Sequence, residues 1–84
     1  MIHLVAAPDQ MARLLAAGRR QAGLTQAEAA ARIGVSQSRI SALETDATAL
    51  TLAQLLALCG AYGLQLQVRD KNQPAPEPAP LIEW

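Results

Sequence analysis

The chain has 84 residues, 51% hydrophobic, 17% charged and 2% aromatic, with seven basic and seven acidic residues that cancel. That allows one small core plus a tail, and it excludes a strongly cationic surface read from the total charge. One cysteine excludes an internal disulfide, and one histidine beside it leaves no metal-ligand cluster.

Ala and Leu dominate and Phe is absent, which favours close-packed helices over a β-sandwich. A core this small is marginal alone, so self-association would help it bury apolar surface. No apolar run approaches the roughly 20 residues of a bilayer span. Met1-Ile2-His3-Leu4 carries neither the basic nor the long apolar region of a secretory signal, so a cytoplasmic protein without membrane contact is expected.

In chain order, a first helix is expected after Pro8, with Asp9 near its positive dipole end. Met11, Leu14, Leu15 and Gly18 recur at one buried face, and Gly23 is the expected stop. Thr25-x-x-Glu28 is a capping box that opens a second, Ala-rich helix over Gln26 to Ile33, closed by Gly34. Ser36 is the N-cap of a third, with Val35 as a staple against Ile40 and with Ile40 and Leu43 as its buried stripe. Thr45 to Leu50 reads as a loop. Thr51-x-x-Gln54 opens a fourth helix, on which Leu52, Leu55, Leu56, Cys59 and Tyr62 are expected to share one broad buried face before Gly63 ends it.

The period then changes to two. Leu64, Leu66 and Val68 alternate with Gln65, Gln67 and Arg69, the pattern of a half-buried strand. A lone strand with unpaired edges is unstable, so pairing with a twin across a dimer axis is expected, with Ile2 to Val5 as the alternative partner strand. From Lys71, Pro74, Pro76, Pro78 and Pro80 alternate toward a polyproline II spacer. Ten residues of it reach about 31 Å at ~3.1 Å each. Leu81, Ile82 and Trp84 at its end form an apolar anchor suited to a partner's pocket. The expected organisation is a helical domain over residues 1–63, a dimerising strand over 64–70 and a flexible tail over 71–84.

Charge is unevenly spread. From Gln10 to Glu44, Arg13, Arg19, Arg20, Arg32 and Arg39 stand against Glu28 and Glu44, a local +3 balanced by −3 elsewhere. Two helices joined only through Gly34 and Val35 cannot lie antiparallel and must cross steeply, which is helix-turn-helix geometry. With Ile40 and Leu43 inward, a step of about 100° per residue puts Ser38, Ser41, Ala42 and Thr45 outward and Gln37 and Arg39 on the flanks. Such a small polar face suits a major groove, where Gln37 can bond adenine bidentately and Ser38 or Ser41 can approach base edges. Arg39 suits a phosphate or base contact, whereas Arg13, Arg20 and Arg32 divide between DNA backbone and water. Cys59 fits a buried thiol and His3 stands alone. No nucleophile–base pair, paired acids or phosphate-binding glycine loop appears, so neither an enzyme nor a cofactor is expected.

From Leu24, the run LTQAEAAARIGVSQSRISALE resembles the Cro/repressor-type (XRE) helix-turn-helix family. The resemblance implies an all-α, lambda-repressor-like domain of four to five helices, here with a C-terminal β-strand and an extended Pro-rich tail. Gln26 matches the family's phosphate-contacting, buttressing glutamine, Gln37 its base-reading one, and Arg19 with Glu44 its structural ion pair. Ala29 departs from the usual Leu, which implies a slightly thinner core. The order of helical domain, Leu-Gln-Leu-Gln-Val strand, tail and terminal Glu-Trp is similar to the HipB-type antitoxins. That implies a repressor of its own operon that binds a palindromic double-stranded operator as a homodimer and neutralises a HipA-type Ser/Thr-kinase toxin. On this reading Gln26, Gln37, Ser38, Arg39, Ser41 and Ala42 meet DNA, Leu64, Leu66 and Val68 dimerise, and Leu81, Ile82 and Trp84 hold the toxin. The expected location is cytoplasmic and nucleoid-associated. A stand-alone phage-type repressor, or an interaction module of this fold without DNA binding, is the alternative.

Overall fold

The structure, a computed structural model, describes residues 2–72. Four helices form: α1 (Pro8–Gln21), α2 (Gln26–Ile33), α3 (Gln37–Thr45) and α4 (Leu52–Tyr62). Each start has a local cause. Pro8 opens α1, and Gln10 Oε1 reaches back to accept from the Ala6 and Ala7 N–H groups. Thr25 Oγ1 accepts from Glu28 N–H at 3.1 Å while Glu28 Oε1 accepts from Thr25 N–H at 3.0 Å, a closed capping box. Thr51 and Gln54 repeat that box at α4.

The ends of α2 and α4 are set by glycine. Gly34 and Gly63 take left-handed backbone, with φ of 74° and 70°, which lets the next N–H turn back on the helix. Val35 N–H thus donates to the Ala30 carbonyl at 3.0 Å and Leu64 N–H to the Cys59 carbonyl at 2.8 Å.

The core consists of Leu15, Ala29, Ala30, Ile40, Leu43, Leu58 and Tyr62, with Val35, Leu50 and Leu55 among the residues packed against it. Ala29 is fully buried in it. Gly18 belongs here for steric reasons, because a Cβ would lie 3.0 Å from Leu64 Cδ1 and 3.4 Å from Tyr62 Cδ2. α1 therefore approaches the end of α4 closely only without a side chain at that position.

The buried face of α4 differs from the sequence expectation. Leu52 and Leu56 are 66% and 51% exposed, and Leu58, unnoticed in the pattern, is 1% exposed at the centre of the core. α4 holds no charged residue and has leucine on several sides, so periodicity alone does not select a face. Contact with α1 and α2 does.

The segment after Gly63 is a second difference. No strand forms among the described residues, and no ladder joins 64–70 to Ile2–Val5. Instead the two segments flank an apolar groove floored by Met11, Leu14, Leu55 and Cys59. Leu66 and Val68 stand exposed beside it, with Ile2 and Leu4. A strand needs a partner's carbonyls and N–H groups, and Ile2–Val5, on the other side of the groove, makes no backbone hydrogen bond to 64–70. The spacer prolines and the Leu81, Ile82 and Trp84 anchor lie outside the described residues. Among the described residues, no helix is long and apolar enough to cross a membrane, and no three His, Cys, Asp or Glu side chains are grouped to hold a metal.

Candidate nucleic-acid interface

α2 and α3 form the helix-turn-helix, joined by residues 34–36. Gly34 makes the turn, and Ser36 starts α3 by accepting from Arg39 N–H at 3.1 Å. The Ser36 and Ser38 hydroxyls also share a hydrogen bond of 3.1 Å, which draws Ser38 toward the cap. Replacing Ser36 by Ala is expected to cost about 1 kcal/mol, read as a lower denaturation midpoint, because an orphan N–H at the head of α3 loses its acceptor.

Ile40 and Leu43 are each 1% exposed and hold α3 to the core. Gln37, Ser38, Ser41 and Ala42 are consequently exposed along the outer side. The Gln37 carboxamide and Ser41 hydroxyl have no hydrogen-bond partner among the described residues. This face therefore keeps free donors and acceptors of the kind that read base edges.

Behind that face lies a polar cluster. Arg19 Nε donates to Glu44 Oε2 at 2.7 Å and Arg19 Nη2 to Glu44 Oε1 at 3.1 Å, with the side chains only 12% and 8% exposed. Arg19 Nη1 also donates to the Leu24 carbonyl at 2.9 Å, just before α2. Gln26 Nε2 donates to Glu44 Oε1 at 3.2 Å. A carboxylate only accepts, so the Gln26 amide nitrogen must face Glu44. The buttress that the resemblance assigned to Gln26 thus runs to Glu44 on α3, and no bond to Gln37 forms among the described residues.

Burial pushes the Glu44 carboxyl up, but hydrogen bonds from Arg19 and Gln26 and the positive charge of Arg19 outweigh it and hold it below its ordinary 4.5. The carboxylate hydrogen bond raises Arg19 further above its own ordinary value, against the opposing effect of burial. Burial pushes the Tyr62 phenol up, with Glu44's charge adding to it.

The sign of the pH dependence follows. A carboxyl whose folded pKa is depressed contributes stability above its unfolded value, and that contribution is lost as pH falls through the folded value. Thermal midpoints of the natural chain and of Glu44→Gln should differ by a constant amount from neutral pH down to about 4.5, then converge below it. A gap that widens on acidification would contradict this assignment.

Arg39 does not point to solvent alone. Its Nη2 donates to the Ala49 carbonyl at 2.9 Å and to Gln54 Oε1 at 3.0 Å. Nothing in the local pattern announces this, because both acceptors come from the following loop and helix. Arg13 pairs with Asp9 at 3.1 Å on an exposed face, whereas Arg20 and Arg32 form no ion pair among the described residues.

A helix-turn-helix family profile matches residues 15–68, more than half of the chain. Antitoxin HipB of Escherichia coli strain K12 is 30% identical over 79 residues, which cover 92% of this chain and 90% of that protein. The chain belongs to the helix-turn-helix family, in its HipB branch. Antitoxin HipB of Escherichia coli O6:H1 is likewise 30% identical over 92% of this chain and 84% of its own. Among solved structures, a chain of the HipA–HipB–O2–O3 complex superposes with a TM-score of 0.75 at 28% identity, covering 84% of this chain and 100% of that one. A chain of the HipB–O4 20mer complex gives 0.74 at 28% identity, with the same coverage. The HipB likeness therefore extends beyond the helix-turn-helix itself.

Proposed function

We propose that this chain is a sequence-specific DNA-binding repressor that also serves as the antitoxin of a HipA-type Ser/Thr-kinase toxin and represses its own operon. The observation that carries the reading is the small, polar, exposed outer face of α3, held from behind by the Arg19–Glu44–Gln26 cluster. Its near full-length likeness to HipB, solved together with HipA, supports the toxin half. The protein acts by binding, as a cytoplasmic, nucleoid-associated regulator without catalytic chemistry of its own.

Gln37, Ser38, Ser41 and Ala42 would face base edges, and Gln26 would lend its second amide hydrogen to a phosphate. Arg20 and Arg32 add backbone charge. Leu64, Leu66 and Val68 would pair with their counterparts in a second copy, so that the exposed Leu66 and Val68 are covered. Two α3 helices about 34 Å apart would then meet successive major grooves of a palindrome. Leu81, Ile82 and Trp84 would anchor the toxin.

Replacing Gln37 by Ala is expected to relax discrimination at one base pair by about 1–3 kcal/mol while leaving the unfolding midpoint in place. A panel of operator duplexes, each altered at one position, reads this directly. Equal losses on every duplex would contradict the assignment. For the toxin half, co-expression with a HipA-type kinase toxin should rescue growth, and deletion of residues 81–84 should abolish rescue. Undiminished rescue by the truncated chain would remove the anchor from the account.

A further inference from the structure

The buried stripe of α3 is narrow. Ile40 and Leu43 are three residues apart and span only about 60° of the helix circumference, so they fix its distance from the core better than its roll. Roll decides which side chains face outward. Two polar clamps flank the stripe, at about +40° for Glu44 and −100° for Arg39 relative to Ile40. Glu44 ties one flank to α1 and α2 through Arg19 and Gln26. Arg39 ties the other to Ala49 in the loop and to Gln54 in the first turn of α4.

Gln54 is well placed to hold it. The same Oε1 accepts from Thr51 N–H at 3.2 Å, and Thr51 Oγ1 accepts from Gln54 N–H at 3.0 Å, so the acceptor is fixed by the capping box of α4. The loop between is itself braced, with Thr48 N–H donating to Asp46 Oδ1 at 2.9 Å and Leu50 N–H to the Ala47 carbonyl at 3.1 Å. Arg39 therefore meets one acceptor fixed by the start of α4 and one in a braced loop.

We propose that Arg39 is a positioning residue that sets the roll of α3 by bridging it to Ala49 and Gln54, and so determines base discrimination without itself contacting DNA. This rests on the reading of α3 as the recognition helix. It also explains why a charged side chain beside Gln37 and Ser38 is spent on internal acceptors while Gln37 and Ser41 are left free.

The test uses the full chain, a duplex from upstream of its own gene and a scrambled duplex, over a salt series. Arg39→Ala is expected to lower the preference for the upstream duplex by about fivefold or more, a share of what one well-placed base contact supplies. Its salt slope should stay that of the natural chain. Gln54→Ala should reproduce the loss, and the double variant should be no worse than either single one. Gln54→Glu keeps both the acceptor and the capping box, so it should retain the preference. A phosphate contact predicts otherwise: the slope would fall by about 0.9 and both duplexes would weaken alike. That result, or additive losses in the double variant, overturns the proposal while leaving the repressor reading intact. A natural chain that binds both duplexes equally overturns the repressor reading and the proposal together.

Discussion

Glu44→Ala is expected to destabilise the domain by about 3 kcal/mol, the low end of what breaking one partner of a buried ion pair costs. The low end applies because the two side chains keep a little exposure, 12% for Arg19 and 8% for Glu44. Three donors lose their acceptor at once: Arg19 Nε, Arg19 Nη2 and Gln26 Nε2. Arg19 keeps only the Leu24 carbonyl, and its charge stays in a place that water reaches poorly. In a domain this size each kcal/mol moves the thermal midpoint by roughly 4–8 °C, so a drop of about 12–24 °C should follow. Replacing both partners by apolar residues of similar volume should recover much of it, because no buried charge is then left alone. A single-variant loss below about 1 kcal/mol would mean that the pair behaves as a surface pair.

Leu58→Ala is expected to cost about 2–5 kcal/mol, the range for emptying a packed core position. Leu58 is 1% exposed and packs with Leu15, Ile40, Leu43 and Tyr62, so its removal leaves a cavity between α4 and the helix-turn-helix. Leu56→Ala, at a residue 51% exposed, should cost under about 1 kcal/mol. Denaturant midpoints of the two variants therefore report the roll of α4. If Leu56→Ala proved the costlier of the two, the face read from periodicity would be the right one and the packing described above would be wrong.

Local chemistry was readable from the residues, and tertiary chemistry was not. Thr25 with Glu28, Ser36 with Arg39, and Thr51 with Gln54 cap helices through partners three residues away, so their spacing alone locates the starts. Gly34 and Gly63 mark ends for the equally local reason of left-handed backbone. The exposed side of α3 follows from Ile40 and Leu43, because that helix has few apolar residues to confuse the face. α4 has many, and there helical spacing favours Leu52 and Leu56 over Leu58. Helical spacing places Arg39 on a flank and suits it to a phosphate or base, but its acceptors, Ala49 and Gln54, lie 10 and 15 residues along the chain and meet it only after folding. The pattern of Leu64, Leu66 and Val68 is that of a strand, yet a strand's hydrogen bonds need a second segment within reach, and no backbone bond joins 64–70 to Ile2–Val5.

If the outer face of α3 reads DNA sequence, the chain must distinguish its operator from other DNA. The direct measurement is binding of the full chain to a duplex from upstream of its own gene and to a scrambled duplex, across a salt series. A clear preference for the upstream duplex is expected, with a salt slope shallower than that of strongly basic repressors, because few cations are available for phosphates. Equal affinity for the two duplexes at every salt concentration would contradict it.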